Sequence, residues 1–214
     1  MKLIGMLDSP YVRRVAISLQ FLGLRFEHQS LSVFSTFEEF ALINPVVKAP
    51  SLVCDDGQVL IDSTLIIDYA EALSAQKLRR KTLMPAGLKE RQQTLRMTGL
   101  ALVACEKSVQ IFYEHKLRPT EKLHQPWVSR VTSQLLAACD ALEAELELHP
   151  LSINSHSITQ GGVSTAVAWH FMQQMMPEVV DDNQYPLLCA LSVLAEELEE
   201  FRAAPHGAST YVNT

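Results

Sequence analysis

The segment Lys2-Leu3-Ile4-Gly5-Met6-Leu7-Asp8-Ser9-Pro10-Tyr11-Val12-Arg13-Arg14-Val15 decides the fold. Lys2–Leu7 is a short apolar run, the pattern of a buried strand. Ser9 is a good helix N-cap, and Pro10 suits the first helical turn. Val12, Val15, Leu19 and Leu22 then recur at helical spacing until Gly23 stops the helix. A strand running straight into a capped helix opens an α/β domain, and open α/β sheets place ligands at the carboxyl ends of such strands.

Downstream, Phe26–Ser32 reads as a second strand and Thr36–Ile43 as a short helix ended by Asn44-Pro45. Ala49–Cys54, the turn Asp55-Asp56-Gly57-Gln58 and Val59–Ile61 form a hairpin signal. Asp62-Ser63 starts another helix, with Leu65, Ile66, Tyr69 and Leu73 on one face. The order β-α-β-α-β-β-α is complete within 76 residues. A linker follows at 77–87, carrying the basic cluster Arg79-Arg80-Lys81. Residues 88–214 read as an all-α helical bundle domain. Leu88, Leu95, Leu102 and Val109 mark its first helix, which ends near Leu117. Trp127, Val131, Leu135, Ala138, Leu142 and Leu146 mark the second. Val163, Val167, Phe171 and Met175 mark the third, and Leu187, Leu191, Leu194, Leu198 and Phe201 the fourth. These stripes read as packing faces.

The bulk numbers narrow the function. With 48% apolar and 20% charged residues the chain is globular. Its four cysteines (Cys54, Cys105, Cys139, Cys189) stand apart, with no zinc spacing, which suits free thiols in a reducing compartment and no metal. No signal-peptide pattern is present, and no apolar run reaches the roughly 18 residues that span a bilayer. A cytoplasmic protein with no membrane contact is expected. The net charge of −6 hides an asymmetry: residues 79–130 hold 11 Lys/Arg against 4 Asp/Glu, and residues 131–214 hold 1 against 11. The basic stretch either attracts an anion or faces the acidic one within the protein. It lacks interleaved stacking aromatics, so nucleic acid is not an expected partner.

Three places in the first domain can carry chemistry. Ser9, at a helix N-terminus, either caps the helix or donates a hydroxyl hydrogen bond to a thiolate held there. Pro50 opens a strand. Asp62-Ser63 is an ordinary helix start that also offers a carboxylate for an ammonium group, and a hydroxyl with free N–H groups for a carboxylate.

The chain resembles a cytosolic glutathione transferase over essentially its whole length. The resemblance is carried by Asp8-Ser9-Pro10-Tyr11-Val12-Arg13-Arg14-Val15, by Asn44-Pro45-Val46-Val47-Lys48-Ala49-Pro50-Ser51-Leu52, and by Asp62-Ser63 with Ile66-Ile67-Asp68-Tyr69. It implies a thioredoxin-like domain followed by a helical one, assembled as a homodimer in which each first domain packs on the partner's second. It implies that glutathione is the co-substrate and that Ser9 activates its thiol. Pro50 would be cis, leaving the Ala49 backbone to pair with the tripeptide's cysteine. Asp62 and Ser63 would hold the γ-glutamyl end, and Lys48 would lie near the glycine carboxylate. Tyr11 and Tyr113 would wall the second-substrate pocket, and the reaction would join the thiolate to a hydrophobic small electrophile, as in detoxification.

Two departures stand out. The family's helix near residue 159 usually starts Ser/Thr-x-x-Asp, whereas here Thr159-Gln160-Gly161-Gly162 lacks the reciprocal acidic partner, and its glycines weaken the first turn. Asp62 stands where a longer Glu or Gln is commoner. Ser9 argues against thiol–disulfide exchange, since a hydroxyl forms no mixed disulfide. A non-catalytic binding protein on the same scaffold, acting through protein contacts like the stringent-starvation-type relatives, is the alternative.

Overall fold

The structure, a computed structural model, describes residues 1–78 and 81–211. Arg79 and Arg80 of the expected basic cluster lie outside the described residues. Two compact units form: Met1–Met84 together with the described part of Glu196–Thr214, and Pro85–Ala195.

The first unit holds β1 (Lys2–Ile4), α1 (Pro10–Phe21), β2 (Glu27–Gln29), α2 (Phe37–Ile43), β3 (Ser51–Val53), β4 (Val59–Ile61) and α3 (Ser63–Ala75). The sheet order is β2-β1-β3-β4; β1 and β2 are parallel, and the other two pairings are antiparallel. The βαβ unit gives the parallel pair and the hairpin gives the antiparallel edge, as the thioredoxin-like reading requires. Gly57, at φ +86°, makes the hairpin turn and donates its N–H to the Cys54 carbonyl. Strands are shorter than their apolar runs. Leu7 and Phe26, expected within β1 and β2, are buried beyond the strand ends. Gly5 sits at φ +134°, and a Cβ there would lie 2.6 Å from Val12 Cγ2. The strand and helix therefore approach too closely for any side chain at position 5.

The buried face of α3 is rotated from the expected one. Ile66, Ile67, Ala70 and Ser74 are buried, while Leu65 points outward and is exposed.

The final segment corrects the expected fourth helix. α7 (Pro186–Glu196) ends, Leu198 is extended, and α8 (Glu199–Arg202) follows. From Glu196 onward the chain joins the first unit. The cause is Arg13, only 1% exposed. Its Nη atoms donate to both Glu196 carboxylate oxygens at 2.7 and 2.6 Å, and its Nε donates to the Ala204 carbonyl at 2.8 Å. A two-pronged Arg–carboxylate pair is the strongest way to satisfy a buried guanidinium. Phe201 lies under the same guanidinium and edge-on to Phe21; Tyr211 stacks on Phe26 at 4.7 Å. His28 donates from Nε2 to the Gly5 carbonyl while its Nδ1 accepts from the Tyr211 N–H at 2.7 Å, the one assignment in which the ring is neutral. Burial pushes the His28 pKa down, in keeping with that.

The second unit comprises α4 (Leu88–Lys116), α5 (Gln125–Leu148), α6 (Gln160–Met175) and most of α7. α4 packs on both α5 and α6. The heptad leucines do not form its core: Leu88 is 84% and Leu95 55% exposed. The packed face is Met97, Ala101, Ala104, Cys105 and Ile111, with Thr94 and Ser108 buried among them. Small residues win here because α6 comes close. A Cβ on Gly161 would stand 3.1 Å from the Thr94 carbonyl oxygen and 3.3 Å from Met97 Cβ. The glycine that weakens the helix start thus permits the helix contact. Thr159 caps α6 by accepting from the Gly162 N–H at 3.4 Å. On α5, Val131, Leu135, Leu142 and Leu146 are buried as expected, but Trp127 is partly exposed; on α7, Leu187 and Leu194 are exposed. The acidic carboxyl-terminal stretch meets the basic one at the Arg96–Glu145 pair. The α7 start is capped instead by Glu143, which accepts from the Leu187 and Leu188 N–H groups.

Candidate functional site

Sheet register draws the first-unit candidates together. Ile4 pairs with Ser51, and Ser51 pairs with Ile61. The chain leaving β1 toward Ser9, the chain arriving at β3 through Lys48-Ala49-Pro50, and the chain leaving β4 into Asp62-Ser63 therefore share one end of the sheet. The Ala49–Pro50 peptide is cis. The position of a Gly5 Cβ, 3.2 Å from Ala49 Cβ, marks how closely the first two segments pass.

Ser9 is half-buried and extended (φ −72°, ψ 122°), and it caps α1. Its Oγ accepts from the Val12 N–H at 3.4 Å, a long bond. Accepting leaves the hydroxyl proton available, with no partner for it among the described residues. Tyr11 is half-buried in the first turn of the same helix. Asp8, just before the cap, is held above the usual carboxylate range by burial, partly offset by His206. Burial, then the Arg13 charge, pushes the His206 pKa down.

Asp62 caps α3 from an unusual backbone, φ +71°, where a β-carbon is strained. Its Oδ1 accepts from the Thr64 N–H at 2.8 Å and the Leu65 N–H at 3.3 Å. This corrects the expectation of free N–H groups at this helix start: two are taken by Asp62 itself, and the Ser63 N–H is the one left without a partner among the described residues. The exposed Asp62 keeps Oδ2 for an incoming cation. Ser63 is buried, and its Oγ accepts from Arg14 Nη1 at 2.9 Å; Thr64 Oγ1 accepts from the same nitrogen at 3.2 Å. Lys48 is exposed, and its carbonyl accepts from Ser51 Oγ at 2.7 Å.

Two residues that matter here were read only as framework. Arg14, 2% exposed, ties α1 to the start of α3 and so fixes the Ser9 segment relative to Asp62-Ser63. The signal was present: two adjacent arginines inside an apolar helical stripe need buried partners. Asn44, read as a helix stop, is buried; its Nδ2 donates to Ser51 Oγ at 2.8 Å and its Oδ1 accepts from the Val46 N–H at 3.1 Å. It shapes the loop that delivers Ala49-Pro50, within which Val47 has φ +50°. No sequence pattern announces that pairing.

Tyr113 lies in the second unit, near the end of α4, and is partly exposed. Cys54, Cys105 and Cys139 are buried free thiols, and Cys189 is half-buried. Burial pushes the Cys139 thiol up to about 12, which keeps it unreactive. No group of three or more metal-ligating side chains occurs among the described residues, nor any helix long and apolar enough to cross a membrane.

The family model for the glutathione S-transferase N-terminal domain matches residues 3–78. The uncharacterized GST-like protein YibF of Escherichia coli (strain K12) is 23% identical over 177 residues, 83% of this chain and 85% of that protein. A glutathione transferase family member from Pseudomonas fluorescens Pf-5, solved with bound S-(propanoic acid)-glutathione, is 28% identical, with 95% of this chain and 98% of that one covered and a TM-score of 0.76. A glutathione S-transferase from Methylobacterium radiotolerans JCM 2831, in complex with glutathione sulfonate, is 22% identical with 100% and 98% covered, and superposes at a TM-score of 0.86.

Proposed function

Because this chain is a glutathione S-transferase-like protein, carrying that family's N-terminal domain over residues 3–78, we propose that it binds glutathione and transfers its thiolate to an electrophilic small molecule. The observation that carries the reading is the state of Ser9: its oxygen is occupied by a cap bond and its proton has no partner among the described residues. A hydroxyl whose oxygen already accepts a hydrogen bond is polarised and is a better donor. With the positive end of α1 beside it, a thiolate is favoured over a thiol.

A free thiol has a pKa near 8.5, so a few per cent is ionised at pH 7. Lowering it by about two units requires roughly 2.7 kcal/mol of preference for the thiolate. One charge-assisted hydroxyl bond and a helix terminus together are of that size. In the proposed reaction the glutathione sulfur, held as thiolate by Ser9, attacks the electrophilic centre; as the C–S bond forms, either the bond to a leaving group breaks and that group departs with the electron pair, or the π pair of an activated double bond shifts onto the electrophile and takes a proton from water. The Ala49 backbone pairs with the tripeptide's cysteine, Asp62 Oδ2 takes the γ-glutamyl ammonium, the Ser63 N–H takes its carboxylate, and Lys48 lies toward the glycine carboxylate. Tyr11 and Tyr113 belong to the second-substrate side. The relatives solved with bound glutathione derivatives support the choice of co-substrate. A homodimer is part of the proposal, supported by apolar side chains left uncovered on α3 (Leu65), β4 (Val59, Ile61) and α4 (Leu88, Leu95); so is a cytoplasmic location, supported by the free thiols.

Calorimetric titration with glutathione, followed by a thiol-conjugation assay with 1-chloro-2,4-dinitrobenzene, tests the reading. Binding with turnover is expected. Absence of glutathione binding would sink it; binding without turnover on a panel of electrophiles would favour the non-catalytic alternative. Light scattering that reports one chain would remove the dimer.

A further inference from the structure

The end of α4 and the start of α5 flank, within the helical unit, an open cavity of about 280 Å³ lined by Gln110, Tyr113, Glu114, Leu117, Arg118 and Trp127. Tyr113 and Trp127 each keep more than a third of their surface exposed, as does Leu117. Two aromatic rings and a leucine left uncovered around one hollow form a wall suited to a flat apolar body. The volume, at the small end for ligand sites, suits one or two fused rings.

A guanidinium stands at the same cavity with its orientation fixed. Glu114 is buried, and Arg118, one helical turn later, donates to it from Nε at 2.8 Å. That bond holds the planar group while its two Nη atoms have no partner among the described residues, and over half of the side chain is exposed. A guanidinium edge presented this way matches the two oxygens of a carboxylate. Of the lining residues Glu114 and Arg118 carry opposite charges, and the stretch of sequence that supplies most of the lining is net basic. Residues 114–130 hold Lys116, Arg118, Lys122 and Arg130 against Glu114 and Glu121. Trp127 lies in the first turn of the 24-residue α5, whose N-terminal dipole end is positive; His115 and Lys116 offset the opposite end of α4. The basic middle of the sequence thus acquires a target that its intramolecular pairs do not account for.

From this arrangement we infer that the cavity binds an aromatic carboxylate, with the ring system between Tyr113 and Trp127 and the carboxylate on the Nη edge of Arg118. The binding stands on the helical unit alone. Where it is joined to the proposed transferase reading, on which this step rests, the second substrate carries a carboxylate on a flat body and is not a purely hydrophobic molecule.

Calorimetry on the full chain at low salt, with 1-naphthoate, its methyl ester and 1-naphthylmethylamine as probes, decides it. Naphthoate should bind at least tenfold tighter than the ester, and the amine more weakly than either. Arg118→Gln should bring naphthoate down to the ester's affinity. Because that change also strips buried Glu114 of its partner, Arg118→Lys is the second variant: it keeps the charge, loses the fork and should fall between. Trp127→Leu should weaken acid and ester alike. Equal binding of acid and ester, a preference for the amine, indifference to Arg118, or no binding of any probe would each overturn the inference. Parallel glutathione titration separates the two readings: glutathione without naphthoate removes the carboxylate site alone, and naphthoate without glutathione removes the transferase reading alone.

Discussion

Ser9 holds two roles that substitution can separate, cap and thiolate donor. The cap bond to the Val12 N–H spans 3.4 Å, so Ser9→Ala should lose the low end of the usual capping contribution, about 0.5–1 kcal/mol. The donated bond to a thiolate is charge-assisted and amounts to about 1.5 kcal/mol, close to one pKa unit. Ser9→Ala should therefore raise the pKa of bound glutathione by about one unit and slow conjugation near neutral pH about tenfold, with glutathione affinity nearly intact. Ser9→Asp keeps the cap, since a carboxylate accepts from the same N–H and suits the helix dipole; its stability should stay within about 0.5 kcal/mol of wild type. Yet it sets an anion beside the sulfur. At about 4–8 Å and an effective dielectric constant near 20, the repulsion is on the order of 2–4 kcal/mol, so the thiol pKa should rise further than in the alanine variant. Urea unfolding gives the stabilities, and ultraviolet difference absorbance of bound thiolate across a pH series gives the pKa values. If Ser9→Asp titrates the thiol like wild type, or if rates follow stability and not thiol pKa, Ser9 is a cap and nothing more.

Asp62→Asn should keep the α3 cap through its side-chain oxygen yet weaken glutathione about tenfold, seen by calorimetry, because the ammonium partner loses its charge. Ser63→Ala removes an acceptor from buried Arg14 and should cost about 1–3 kcal/mol in urea unfolding, whatever happens to ligand binding. Gly161→Val should destabilise by more than about 2 kcal/mol, because the new side chain meets the Thr94 backbone, which cannot swing aside; a wild-type melting temperature would show that α6 can shift away. The folded-state pKa of His28 lies below its unfolded value of about 6.5, so under acid the unfolded chain binds the extra proton. Stability should be fully present above that pH and decline as pH falls from about 6.5 toward the folded pKa, with His206 acting in the same direction; limited proteolysis should then cut residues 203–211 first, and His28→Gln should flatten the dependence.

Much of the site was legible because its residues act locally. Ser9-Pro10 specifies a cap and a first turn within four residues, Asp55-Asp56-Gly57-Gln58 specifies its own turn, and Asp62 caps the helix it precedes. Periodicity misled where two stripes competed. Leucines every seventh residue on α4 outshone the row of alanines, threonines and Met97 that packs, because hydropathy does not register how closely Gly161 lets a neighbour come. Leu187 to Phe201 read as one helix, since spacing says that residues share a face but not which core they enter. The pairings of Arg13, Arg14, Asn44 and His28 depend on which distant segments fold beside them; only the presence of two buried-looking arginines hinted at a need.

Arg13 also dictates an order of events. Its partners Glu196 and Ala204 lie 183 and 191 residues downstream, with the whole helical unit synthesised in between. A nascent chain that has produced α1, the sheet and α3 cannot bury this guanidinium without stranding a charge, so the amino-terminal unit has to wait, open at one face, until a segment made last on the ribosome returns to it. At roughly 5–20 residues per second of translation that interval lasts about 10–40 s. During it Phe21 and Phe26 lack the aromatic rings that cover them in the finished protein, which makes the half-made chain a natural client for holding chaperones.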